Sequence, residues 1–157
     1  APATPSPKPS PKPSEKPEPK RVLNLIKNPD FETGNFTGWY QKGSSISKVN
    51  QKTGNYCAKI SGKSSGIWQV VTGLKPNTEY TLKAFIKQGG SGQAAYLYVD
   101  SYGGPKKQIV SKSTKYTLYK ITFKTGSNGK SCRIGLIRGS SDGICYGDSF
   151  ELLQGKY

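Results

Sequence analysis

The chain has no histidine and no methionine, and only nine aspartates and glutamates stand against 24 lysines and arginines in its 157 residues. Without histidine, a zinc site of the cysteine–histidine type is excluded, and general acid–base chemistry falls to carboxylates. Past residue 21 those are Asp30, Glu32, Glu79, Asp100, Asp142, Asp148 and Glu151. Glu79 and Asp142 sit in turn-forming stretches, and Asp100, flanked by tyrosines, has no evident partner carboxylate for glycoside hydrolysis. A Tyr and Lys pair serving a lyase would need a motif to single it out, and none does. The sequence therefore reads as a binding module, not an enzyme.

Long apolar runs are missing as well. No stretch of 18 or more apolar residues exists, so no helix can span a bilayer. Cysteines number three, Cys57, Cys132 and Cys145, with no C-x-x-C spacing. They allow one disulfide with a free thiol, or three small buried side chains. A chain that starts at Ala1 and has no methionine is expected to be a processed or excised piece, whose targeting signal is not readable.

What is abundant is positive charge. The net charge is +15, and removing the first 21 residues leaves nineteen cations against seven carboxylates. Such a balance draws polyanions, whether nucleic acid, anionic lipid or an acidic polysaccharide such as pectin or alginate. It equally serves solubility or a lysine-rich thermophilic surface.

Residues 1–21 place proline at nearly every second position among lysine and serine, with no large apolar side chain. That composition is expected to form a disordered, extended Pro/Lys-rich linker and implies a partner module on its N-terminal side. From residue 22 to 157 the pattern is one of short strands and turns. Tyr80, Leu82, Ala84 and Ile86 share one face of a strand, with Lys83, Phe85 and Lys87 on the other. Leu97 and Val99 point inward from a strand whose outward residues are Tyr96, Tyr98 and Asp100. Gly139 to Gly143 is expected to close a hairpin between the last two strands. About nine such strands predict an all-β protein, a two-sheet antiparallel β-sandwich of jelly-roll type.

Ahead of these strands comes a shaped loop, Asn24 to Trp39, in which Pro29 is expected to hold Asn28 extended while Gly34 and Gly38 allow unusual backbone angles. Asp30 and Glu32, two apart, leave an extended backbone on one side, as oxygen ligands for calcium or simply as a charged turn. Three stretches, Asn28-Pro29-Asp30-Phe31-Glu32 with Gly38-Trp39, Leu74 to Leu82, and Tyr146-Gly147-Asp148-Ser149-Phe150-Glu151-Leu152, resemble the carbohydrate-binding modules grouped around families 4, 9, 16 and 22. The resemblance spans residues 22 to 153 in order. It implies a galactose-binding-like jelly roll that anchors an attached polysaccharide-degrading enzyme to a cell-wall polysaccharide, outside the cell.

The resemblance further implies a structural calcium ion joining the opening loop to the last strand through Glu32 and Asp148. Asp30 and the Gly54 and Asn55 carbonyls would complete the shell. It also makes Cys57 and Cys145 the preferred disulfide pair. Sugar binding requires flat aromatic faces and planar polar groups. The outward positions offer Gln69, Lys83, Phe85, Lys87, Tyr96, Tyr98, Asp100 and Arg133, and the loop after Gly38 adds Trp39, Tyr40 and Gln41. Tryptophans such as Trp39 and Trp68 more often pack inside than form platforms. Where cellulose- and mannan-binding relatives carry an exposed tryptophan in the penultimate strand, this chain has Ile137 and Arg138. That departure shifts the expected ligand from a neutral β-1,4-linked chain toward an acidic one, read by lysine and arginine. The competing readings are a basic nucleic-acid binder, disfavoured, and a structural wall-adhesion domain.

Overall fold

The alternation read in the sequence resolves into ten strands in the computed structural model, which describes residues 23–140 and 142–157. In chain order they are β1 (Tyr40–Lys42), β2 (Ser44–Ser47), β3 (Cys57–Ser61), β4 (Gly66–Thr72) and β5 (Glu79–Gln88), then β6 (Ala95–Asp100), β7 (Lys107–Ser111), β8 (Thr117–Lys124), β9 (Ser131–Ile137) and β10 (Ile144–Gln154). They build two five-stranded sheets, ordered β1-β4-β9-β6-β7 and β2-β3-β10-β5-β8, with every pairing antiparallel. This is the expected all-β two-sheet sandwich. The linker expected over 1–21 lies outside the described residues.

The core sits between the sheets. On β5 the inward set Tyr80, Leu82, Ala84 and Ile86 is buried. Facing it from the first sheet are Ile67, Leu97, Val99, Ile134 and Leu136, all without solvent exposure. Each fully buried aliphatic side chain of this size stabilises the fold by about 1.5–3 kcal/mol. Phe31, Trp39 and Phe150 extend the core at one end as an aromatic cluster, with ring centroids 5.1 to 5.9 Å apart.

Only β2–β3 and β6–β7 are paired neighbours in sequence; every other connection crosses from one sheet to the other. The 139–143 segment therefore does not close a hairpin as the sequence suggested. Arg138 is turned inward at its start, donating to Gln88 Oε1 at 3.1 Å and to the Asp142 carbonyl at 3.2 Å, and β10 begins in the opposite sheet. At the β1–β2 crossing, Gly43 has φ +62°, and a Cβ there would meet the Ser61 carbonyl at 2.9 Å, so only glycine fits.

Two local expectations are corrected. Asn28 is not extended before Pro29 but has φ +47°, a region asparagine tolerates, and its carbonyl accepts the Trp39 indole N–H at 2.9 Å. All three cysteines are free and buried. Cys57 and Cys145 project to opposite faces of the second sheet: Cys57 shares the outward phase of Lys59, while Cys145 is paired with the inward Ile60. Burial pushes the Cys145 thiol up to about 11, against a smaller lowering by Arg138, and the Cys132 thiol up to about 12.

Candidate functional site

The outer face of the first sheet collects aromatic and polar side chains in register. One row across it runs Tyr40, Trp68, Gly135, Tyr98 and Gln108. The next runs Lys42, Gly66, Ile137, Tyr96 and Val110, and a third sets Val70, Arg133 and Asp100 side by side. The strand period of two is what brings these residues from five strands onto one surface.

Tyr40 and Trp68 stack with ring centroids 6.1 Å apart and planes 16° from parallel. Tyr40 is 63% exposed and Trp68 half-buried, so the pair presents aromatic surface to solvent at the β1–β4 edge. Beyond Gly135, Tyr98 lies flat against the sheet and is 5% exposed, because Lys106 and Arg133 stand over its ring at 4.8 and 5.9 Å. Burial raises the Tyr98 hydroxyl, so it stays a neutral donor.

Beside Tyr98 is a charge-assisted fork. Arg133 Nε donates to Asp100 Oδ1 at 2.9 Å and Nη2 to Oδ2 at 2.5 Å. Burial works to raise the Asp100 carboxyl, but the Arg133 hydrogen bonds and charge outweigh it and hold the group below the usual carboxylate range. A fixed planar fork can hydrogen-bond vicinal hydroxyls while the exposed Tyr40–Trp68 pair takes C–H surfaces.

Of the sequence-predicted contact residues, Tyr40, Tyr96, Tyr98, Asp100, Arg133 and Ile137 fall on this face. Four do not. Trp39 is buried in the core among Phe31 and Phe150. Gln69 points inward and clasps the opening loop, accepting from Lys27 N at 2.8 Å and donating to the Lys27 carbonyl at 3.0 Å. Arg138 is buried at the inter-sheet crossing. Lys83 and Phe85, together with Lys87, lie on β5 in the other sheet, on the opposite side of the sandwich. The sequence reading missed Trp68; its signal was its phase within β4, shared with exposed Val70 and opposite to buried Ile67 and Val71.

At the end of the sandwich the opening loop meets β10 and residues 52–55. Asp148 is wholly buried, its Oδ2 accepting from Lys52 N at 2.9 Å and Thr53 N at 3.1 Å, and its Oδ1 from Ser149 N at 2.7 Å. Glu32 Oε1 accepts from Asn55 N at 2.7 Å, so Asn55 turns its N–H toward the carboxylate. Burial raises the Asp148 carboxyl, the main-chain donors pull it down, and the nearby Asp30 charge pushes it up again. Among the described residues, ion pairs are formed by Lys63 with Asp142 and Arg133 with Asp100, so neither Asp148 nor Asp30 is neutralised by a lysine or arginine. No group of three or more acidic, histidine or cysteine side chains gathers as metal ligands among the described residues. Both Asp148 oxygens and Glu32 Oε1 are engaged by main-chain N–H groups, so what a cation would meet here is the negative charge of Asp148 and Asp30.

The family described as "Carbohydrate binding domain" matches residues 23–142. The keratan-sulfate endo-1,4-beta-galactosidase of Sphingobacterium multivorum is 34% identical over 132 residues, which cover 83% of this chain and 31% of that enzyme. Among solved structures, a family 61 carbohydrate-binding module in complex with beta-1,4-galactotriose aligns with a TM-score of 0.68 at 21% identity, over 85% of this chain and 99% of that one. A family 16 carbohydrate-binding module aligns with a TM-score of 0.68 at 25% identity, over 83% and 99%. A family 22 xylan-binding domain from Paenibacillus barcinonensis gives 0.65 at 15% identity, over 82% and 92%. The family 61 and family 22 likenesses, at those identities, establish the shared fold.

Proposed function

The chain belongs to the carbohydrate-binding domain family, and from that premise we propose that the outer face of its first sheet binds a galactose-containing polysaccharide without cleaving it. The observation that carries this reading is the nearly parallel Tyr40–Trp68 pair on the same sheet face as the Arg133–Asp100 fork, which lies one outward row along. Sugar rings present C–H faces to flat aromatics and hydroxyls to planar polar groups, and this face supplies both. The choice of galactose rests on the 34% identical keratan-sulfate endo-galactosidase, of which this chain matches a segment. In this reading the module keeps an attached polysaccharide-degrading enzyme close to its substrate, outside the cell.

Calorimetry against β-1,4-galactan, keratan sulfate, xylan, mannan, cellulose, pectin and alginate tests the proposal. Binding to at least the galactose polymers is expected, weakened by Trp68→Ala. Failure of the unaltered protein to bind the galactose polymers would overturn it.

We further propose that calcium is a structural cofactor held by Asp148, Asp30 and Glu32. When bound, the ion would neutralise carboxylates that no cationic side chain of the described residues reaches. Asp148 supplies the β10 side of the staple and Glu32 ties the opening loop to Asn55. Equilibrium dialysis with calcium at neutral pH is the direct test, and absence of stoichiometric uptake excludes it.

A further inference from the structure

The outer face of the second sheet is built differently from the first. Across it Lys59, Tyr146 and Lys87 stand side by side, and Lys87 Nζ lies 5.3 Å from the Tyr146 ring centroid and 5.1 Å from that of Tyr116. Further along, Lys83 is directly paired with Lys120, with Glu151 on its other side. Like charges directly opposite in a ladder weaken a sheet, so the Lys83–Lys120 pair is not explained by stability. None of these lysines joins an ion pair within 4.0 Å among the described residues.

The rings on this face are also occupied. Phe85 carries Lys52 Nζ at 5.0 Å, Tyr157 carries Lys83 at 5.5 Å, and Tyr116 and Tyr146 share Lys87. A ring capped by an ammonium group is a poor platform for a sugar or a base, but it holds that ammonium in place. Among the described residues the first sheet keeps the Tyr40–Trp68 pair free of cations, whereas on the second Lys83 and Lys87 are held over rings, with Lys120 and Lys59 in the same cross-strand rows.

We propose that the outer face of the second sheet is a second binding site, for the sulfate or carboxylate groups of a polyanionic polysaccharide, formed by Lys59, Lys83, Lys87 and Lys120. The polymer class rests on the glycan reading of the first sheet; the location rests on the lysine geometry alone. The two faces together let the module grip chains on both sides of the sandwich, one by shape and one by charge.

The test is calorimetry with dextran sulfate, polygalacturonate, neutral β-1,4-galactan and single-stranded DNA at two salt concentrations. Lys83→Gln/Lys120→Gln is compared with Lys75→Gln/Lys130→Gln, a pair of equal charge in loops at the sandwich end, and with Trp68→Ala. The expected result is a loss of about tenfold or more in polyanion affinity for the β5–β8 pair only, with the salt slope smaller by about 1–2 and galactan binding unchanged. Dextran sulfate and polygalacturonate then separate sulfate from carboxylate recognition. Equal losses for the two lysine pairs, or no loss for either, would overturn the site. Tighter binding of DNA than of either polysaccharide, with the same lysine dependence, would overturn its occupant. If galactan fails to bind the unaltered protein while the dextran sulfate result holds, the first-sheet reading falls and the lysine face stands.

Discussion

Gly135 and Tyr98 face one another across the β9–β6 ladder so closely that a methyl group on Gly135 would come within 2.6 Å of the tyrosine ring. The missing side chain is what lets Tyr98 lie flat between Trp68 and Gln108 in the cross-strand row. The same methyl would meet the Ile67 carbonyl at 2.7 Å, so the backbone cannot simply yield. Gly135→Ala is expected to cost about 1–3 kcal/mol in chemical denaturation and to lift Tyr98 off the sheet. Galactan affinity should fall with it, whereas an unchanged denaturation midpoint would show the ring free to move.

The two tryptophans should separate stability from binding. Trp39 is packed against Phe31 and Phe150 and gives its indole proton to the Asn28 carbonyl. Trp39→Ala is expected to lose about 3–5 kcal/mol of stability. Trp68→Ala, on the open face, should leave the melting temperature within a few degrees and weaken galactan binding about tenfold, read by calorimetry. Large destabilisation by both would place Trp68 in a packing role.

Asp148 links pH to the calcium proposal. A carboxyl whose folded pKa is raised binds its proton more tightly in the native state, so stability falls as pH rises between the unfolded and folded values. Above the folded value the ionised, buried group carries its full cost, and a bound cation offsets it. Adding calcium at pH 7 is expected to raise the melting temperature and EDTA to reverse this, with the difference shrinking as pH drops through the carboxylate range. Asp148→Ala should abolish the calcium response. A melting temperature indifferent to calcium at pH 7 counts against the ion.

The Asp100–Arg133 fork predicts the opposite dependence. Its carboxyl is held below the ordinary carboxylate range, so its contribution is fully present above the unfolded pKa and is lost as pH falls through the lower, folded one. Galactan affinity should therefore be flat from neutral pH down to the ordinary carboxylate range and decline only below it. Asp100→Asn should remove that acid limb. A variant that keeps the same profile would assign the limb to another group.

Much of the architecture was legible because alternation is a local signal. β5 and β6 could be read almost to the residue from Tyr80-Leu82-Ala84-Ile86 and from Leu97-Val99. β1, β2 and β7 were not foreseen, since Tyr40–Lys42 is wholly exposed and Lys107–Ser111 is mostly so, and edge strands carry little hydrophobic phase. What period two cannot say is which sheet a strand joins. Lys83 and Phe85 share an outward phase with Tyr96 and Tyr98, yet the strands holding them lie on opposite sides of the core. The Cys57–Cys145 pair implied by the family resemblance fails for a different reason, since the two thiols occupy different faces of one sheet. Trp68 was misjudged because composition favours a buried tryptophan, and only the exposure of Val70 two residues on reveals its phase.

The unequal placement of the two indoles has an optical consequence. One chromophore is sealed in an apolar cage and the other lies in the plane where a ligand would settle. An aqueous quencher such as iodide reaches the second far more readily, so the quenchable part of the intrinsic fluorescence belongs to Trp68. Under the proposed function the molecule thereby carries its own unlabelled reporter of occupancy, with an internal reference built into the same chain.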